Sequence, residues 1–145
     1  MSIAEAPRRI IPMLSYEDAA TAAFWLCRAF GFTEDAAARR TGPDGTVTHA
    51  ELEHGGARIM LATPTRDYQS PRHHRNGCKA AARWLDNPWV IDGVFVEVGD
   101  LDAHCAQARA EGATILREPE EPGVGFRIYA AEDLEGHRWM FGAHT

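Results

Sequence analysis

The sequence predicts an α+β chain made of two β-α-β-β-β modules, and three observations predict it. A glycine-x-arginine-x-methionine pattern occurs twice, as "GARIM" at 56–60 and "GHRWM" at 136–140, so the copies start 80 positions apart. Two glycines placed to end helices, Gly31 and Gly112, are 81 apart, and each precedes a strand-length stretch. The order strand, helix, three strands reads the same in both halves. Landmarks of different kinds at nearly one offset mark an internal duplication, and two copies make a paired fold rather than a solenoid.

In the first copy, "RRIIPMLSY" (8–16) is a short apolar run, and "YEDAATAAFWLCRAFG" (16–31) carries alanines and large apolar groups at helical spacing. Ser15 with Asp18 resembles a capping box, and Gly31 stands where a left-handed residue closes a helix. "EDAAARRT", "VTHAELEH" and "ARIMLAT" follow as three strands, separated by the turn signals "GPDG" and "GG". In the second copy, "VIDGVFVEV" (90–98) alternates Val94, Val96 and Val98 along one face. "DLDAHCAQARAEG" (100–112) is an amphipathic helix capped by Asp100 and closed by Gly112, and "ATILREP", "GFRIYAAE" and "HRWMFGA" complete the repeat. The modules span 1–62 and 90–145 and form one structural domain. The connection, 63–89, is long, with one alanine-rich helical stretch, and is read as a cover over a site because Tyr68, Trp84 and Trp89 are costly to leave in plain solvent.

Composition narrows the function. Twenty-one acidic against 15 basic residues give a formal net charge of −6, which disfavours a grip on nucleic-acid phosphates. No apolar run approaches the roughly 18 residues of a membrane helix, and "MSIAEAPRRI" lacks a secretory apolar region. Three widely spaced cysteines, Cys27, Cys78 and Cys105, fit a reducing compartment. A cytoplasmic protein with no nucleic-acid or membrane partner is expected. There is no G-x-S-x-G elbow, P-loop or dinucleotide fingerprint. His73, His74 and Cys78 lack a fourth partner at zinc spacing.

The paired units, the ending "AEDLEGHRWMFG" (131–142) and the crossover "SPRHH…AARWLDNPWVIDG" resemble the vicinal oxygen chelate superfamily, the glyoxalase, bleomycin-resistance and extradiol-dioxygenase group. The likeness is strongest to its PhnB-like, glyoxalase-like branch and covers nearly the whole chain; the D-x-x-G-H-R-W segment, 133–139, carries most of it. The resemblance implies two modules whose curved, largely antiparallel sheets enclose a cavity, usually in a homodimer. Metal-dependent members of the superfamily place His, Gln or Glu on the first and last strands of each module. Those slots fall here at Pro12, Met60, Gly93 and Met140, none a credible ligand for a hard or borderline divalent ion. Two carboxylates replaced by thioethers leave a soft apolar floor, so no cofactor is expected and binding outranks catalysis.

Alternation places His49 and Glu51 on one face, either as a ligand-orienting or acid–base pair or as a solvated strand face. Phe95 and Glu97 oppose the valine face, Arg58 and Arg138 accompany Met60 and Met140, and Arg127 with Tyr129 form another candidate pair. Core roles are expected for Phe24, Trp25, Phe30, Trp139 and Phe141. The expected ligand site is therefore His49, Glu51, Met60, Trp84, Trp89, Phe95, Glu97, Arg127, Tyr129, Arg138 and Met140. A small organic ligand, sequestered as a drug or metabolite, is the first reading; stacking and cation–π contact suit a flat or cationic molecule. A lyase, isomerase or dioxygenase using His49 and Glu51, and a non-catalytic sensor or interaction subunit, stay open.

Overall fold

The computed structural model describes residues 8–86, 92–123 and 125–145. The first module runs β1 (Met13–Ser15), α1 (Ala19–Phe30), β2 (Thr33–Glu34), β3 (Arg40–Thr41), β4 (Val47–His54) and β5 (Ala57–Ala62). The crossover holds α2 (Pro71–Gly77) and α3 (Lys79–Arg83). The second module runs β6 (Gly93–Glu97), α4 (Leu101–Ala110), β7 (Thr114–Glu120), β8 (Phe126–Glu132) and β9 (Arg138–His144). The sheets have the orders β1-β5-β4-β2, with β3 also on β4, and β6-β9-β8-β7. Among the described residues only β1–β5 and β6–β9 are parallel pairs, the return each crossover helix dictates. The α+β class and the repeated module are as the sequence predicts.

Local details differ from the sequence reading where alanine and aspartate compete. "EDAAARRT" is not one strand: Asp35 accepts from Ala37 N and caps a 3₁₀ turn over Ala36–Ala38, which divides β2 from β3. The cap of α1 is Asp18, accepting from Thr21 N, while Ser15 belongs to β1. Gly31 closes α1 at φ 81° and Asp100 caps α4, both as expected. Phe24 is 66% exposed, lying under the Arg28 guanidinium rather than in the core.

Both long helices lie on one side of the sheets. Alanines 19, 22 and 23 bring α1 close to Ala50, Leu52 and Leu61, and α4 buries Leu101, Cys105 and Ala108. Phe30 crosses to the second module, 5.4 Å from the Trp139 ring and 4.7 Å from that of Phe141, so one cluster of buried residues serves both modules. Full burial of a side chain such as Phe30 contributes roughly 1.5–3 kcal/mol. His104 of α4 joins this core: its Nε2–H donates to Phe30 O at 2.9 Å, and Tyr129 Oη donates to its Nδ1 at 2.6 Å.

Burial holds the His104 pKa below that of a free imidazole. The neutral ring therefore contributes its stability in full above the unfolded pKa of about 6.5, and that contribution is lost as pH falls through the lower folded value. His104→Gln is expected to melt about 3–6 °C below the wild type at pH 7.5, the scale of one or two lost buried hydrogen bonds. The gap should narrow toward pH 5, where only the wild type must charge a buried ring. A gap that holds constant between pH 7.5 and pH 5 in calorimetry contradicts this.

Candidate ligand site on the open sheet face

The sheet face turned away from the helices is set by register. In the first sheet Met13 pairs with Met60, and Met60 with Glu51; in the second Phe95 pairs with Met140, and Met140 with Ala130. Cross-strand partners share a face, so Met13 and Met60 make an apolar pair on the open side of the first sheet, and Phe95 and Met140 another on that of the second. Met13 is 76% and Phe95 47% exposed, whereas Met60 and Met140 are half-buried. A groove of about 230 Å³, walled by Ile10, Pro12, Phe32, Ile59, Val94 and Phe95, runs in where the modules meet.

Two of the slots carried over from the family need correction. Pro12 has the parity opposite to Met60 and meets it only through its carbonyl, which accepts from Met60 N at 2.9 Å; the side chain beside Met60 is that of Met13. Gly93 lies beside Arg138, and the residue across from Met140 is Phe95. A Cβ on Gly93 would come within 3.0 Å of the Arg138 carbonyl oxygen, so that position has little room for any ligating side chain. Three thioethers and a phenyl ring do not fit a divalent ion that prefers imidazole and carboxylate. Among the described residues no group of three or more His, Cys, Asp or Glu is arranged to hold a metal ion.

Beside Met60, β4 presents a polar trio. An irregularity opposite Arg40 and Thr41 shifts the pairing, so Val47 and Ala50 both reach the core while His49 stays on the open face. His49 Nε2 lies 2.7 Å from Glu51 Oε2, and Arg58 Nη1 donates to Glu51 Oε1 at 2.8 Å. The hydrogen bond from His49, and then Arg58, holds the Glu51 carboxyl below the usual range. Arg58 also donates to Asp35 at 3.1 Å and to Glu53. Glu51 is therefore an ionised carboxylate already satisfied by two donors, not a free anion awaiting a cation. Glu97 stands at the far end of β6, about two-thirds exposed and 3.5 Å from His144.

The crossover rests on the open face of the second sheet. Arg75 grips buried Glu132 with both nitrogens, at 2.8 and 2.7 Å, and Arg72 adds a bond at 3.2 Å. Arg138, 5% exposed, pairs across the strands with Glu132 and donates to Trp84 O at 2.8 Å. Burial lowers its pKa, with Glu132 opposing and Arg75 adding to the shift. The matching arginines of the two modules thus have opposite company. Among the described residues, Arg58 is one guanidinium among three carboxylates, whereas Arg138, Arg72 and Arg75 gather at Glu132. A pocket of about 270 Å³ lies under the crossover between Tyr68, Pro71, His74, Arg75, Ala81 and Trp84.

Two expected site residues are elsewhere. Tyr129 is fully buried on the helix side against His104, and Arg127, on that same side, pairs with Asp102 of α4 at 3.0 Å. Strand parity decides this: both alternate with Ile128 and Ala130, which share the face of Met140. Trp89 lies outside the described residues. His73 Nδ1 lies 3.1 Å from Glu17, with no metal-binding company among the described residues. Sequence reasoning missed Met13, Arg72, Arg75 and Glu132 as site residues; parity with Met60 would have found Met13, and pairing of "AAE" with "HRW" would have found Glu132.

The D-x-x-G-H-R-W segment is the joint of the molecule. Asp133, fully buried, accepts from Tyr16 Oη at 2.6 Å, Trp139 Nε1 at 3.0 Å and the backbone of Glu135 and His137. His137 Nε2 donates to Ser15 O at 2.6 Å, and Glu135 accepts the backbone N–H groups of Glu17 and Asp18. Gly136, at φ 95°, faces Arg72, whose backbone nitrogen would lie 2.6 Å from an added Cβ.

Two sheets with shared helices, an open apolar face and this joint define a paired-module protein of the vicinal oxygen chelate type. The chain belongs to the Glyoxalase/Bleomycin resistance protein/Dioxygenase superfamily, whose family model matches residues 11–141. It is 30% identical over 131 residues to the uncharacterized protein Mb0911c of Mycobacterium bovis, covering 90% of this chain and 80% of that one. Among solved structures it resembles TioX from Micromonospora sp. ML1, at 29% identity and TM-score 0.65, covering 95% and 97% of the two chains. It shares its fold with TnmS3, an antibiotic binding protein from Streptomyces sp. CB03234, at 16% identity and TM-score 0.58, covering 97% and 100%. Among the described residues no helix is long and apolar enough to cross a membrane.

Proposed function

We propose that the open face binds a small, flat, largely apolar organic molecule and sequesters it, in a cytoplasmic homodimer. One observation carries this reading: Met13 with Met60 and Phe95 with Met140 line the open sheet faces with thioethers and a phenyl ring, where a divalent ion would prefer imidazole and carboxylate. Thioethers adapt to a flat ring and contact its edge favourably, and Phe95 offers a stacking partner. The exposed Ile10 and Met13 side chains favour a surface that a ligand or second copy covers. The fold's use in the antibiotic binding protein TnmS3 supports the same direction.

A panel of planar aromatic compounds should raise the melting temperature of untagged protein, since ligand at a hundred times its Kd stabilises by about 2.7 kcal/mol. Met60→Glu, with a carboxylate on the floor, should weaken such binding at least about ten-fold, or ~1.4 kcal/mol. Nickel, zinc, manganese and iron should each leave the melting temperature unchanged. A stoichiometric ion in purified protein, or an ion-dependent shift that disappears in His49→Ala, overturns sequestration in favour of a metal enzyme. A second reading rests on the ionised Glu51 behind His49: such a pair can shuttle a proton in a lyase or isomerase. Turnover of a bound compound that His49→Ala abolishes would establish it.

A further inference from the structure

We propose that His49 reads a hydroxyl group on the bound ring, so that the ligand is a hydroxylated aromatic whose O–H donates to His49 Nδ1. This rests on the aromatic-binding reading above and names the ligand class it selects.

The tautomer follows from the neighbours. Glu51 is ionised and acceptor-only, with Arg58 on one oxygen and His49 Nε2 on the other at 2.7 Å, so Nε2 carries the hydrogen. In the neutral ring, Nδ1 is then the acceptor. Nδ1 has no protein hydrogen bond among the described residues, whereas His104 commits both ring nitrogens to the fold. The His49 side chain is one-third exposed on the open face; its cross-strand neighbours are the small Ala62 on β5 and Arg40 on β3, whose guanidinium donates to the carbonyls of Ala37 and Arg39. Two residues further along β4, Glu51 lies opposite Met60. An oriented acceptor therefore stands at the edge of the thioether floor.

The surrounding charge decides which donor suits it. Asp35, Glu51 and Glu53 gather around Arg58, and Arg40 across from His49 leaves these three carboxylates still in excess of the two guanidiniums, so a carboxylate on the ligand meets net negative charge here. An ether or ketone oxygen sets lone pair against lone pair and leaves Nδ1 unpaired. An aliphatic ammonium gives up strong hydration on an apolar floor. A neutral phenolic hydroxyl has none of these costs. Sites built around one hydrogen bond reject analogues that cannot make it more sharply than apolar walls reject a methylene.

The test titrates the full chain with 2-naphthol, 2-methoxynaphthalene and 2-naphthoate, following naphthalene fluorescence. The wild type should bind 2-naphthol about ten-fold more tightly than the methyl ether, equivalent to ~1.4 kcal/mol, with 2-naphthoate weakest. His49→Phe should bind the ether as before and lose the preference for naphthol; His49→Gln, which keeps an acceptor, should retain part of it. Equal affinity of the wild type for naphthol and ether, or a preference surviving in His49→Phe, removes the inference and leaves the aromatic site standing. No binding of any naphthalene removes both.

Discussion

Asp133→Ala is expected to lower the melting temperature by about 10 °C, because removing a buried carboxylate from its partners costs about 3–5 kcal/mol in a chain of this size. Its carboxylate takes two side-chain donors and two backbone donors, and the Tyr16 and Trp139 donors lie in buried surroundings that water would not replace. Burial first, then the Asp133 charge, raises the Tyr16 pKa well above its ordinary value, so that hydroxyl remains a donor throughout the working range. Asp133→Asn retains the volume but offers an amide to two donors, and should fall between the wild type and the alanine variant. A loss below about 3 °C for Asp133→Ala in scanning calorimetry would show that the joint is dispensable.

Glu132→Ala should act on the crossover more than on the core. It leaves Arg75 and Arg72 without their carboxylate and Arg138 without its cross-strand counter-charge, an imbalance worth about 3–5 kcal/mol when partly buried. Lifting α2 and α3 into water relieves it. Amide exchange across 71–83 should accelerate at least about a hundred-fold, while α1 keeps its protection. Equal acceleration in both regions would mean that the crossover and core open as one unit.

The fold was legible because its signals are periodic. Valine alternation in β6, the cap at Asp100 and the glycines at 31 and 112 each state a local preference that tertiary packing leaves intact. "EDAAARRT" misled because Asp35 can bond its own backbone two residues on, which extended β structure cannot outcompete in an alanine run. The site was legible in part. Met60 and Met140 share a face with His49, Glu51 and Phe95 through simple alternation, but Pro12 and Gly93 were placed by likeness to other chains: Pro12 is one step off, which exchanges the two faces, and Gly93 is two steps from the partner of Met140, which keeps the face but moves along the strand. Tyr129 and Arg127 failed for the same reason of parity. The Arg72, Arg75 and Glu132 cluster joins residues about 60 positions apart, a separation no local pattern encodes.

A duplicated scaffold would ordinarily give an elongated guest two interchangeable poses, head toward either half. The unlike surroundings of Arg58 and Arg138 remove that degeneracy. The potential slopes from one module to the other, and on a face this open, salt weakens the slope. A polar guest bound as proposed would therefore have one favoured direction of seating, set by divergence of the copies rather than by their symmetry.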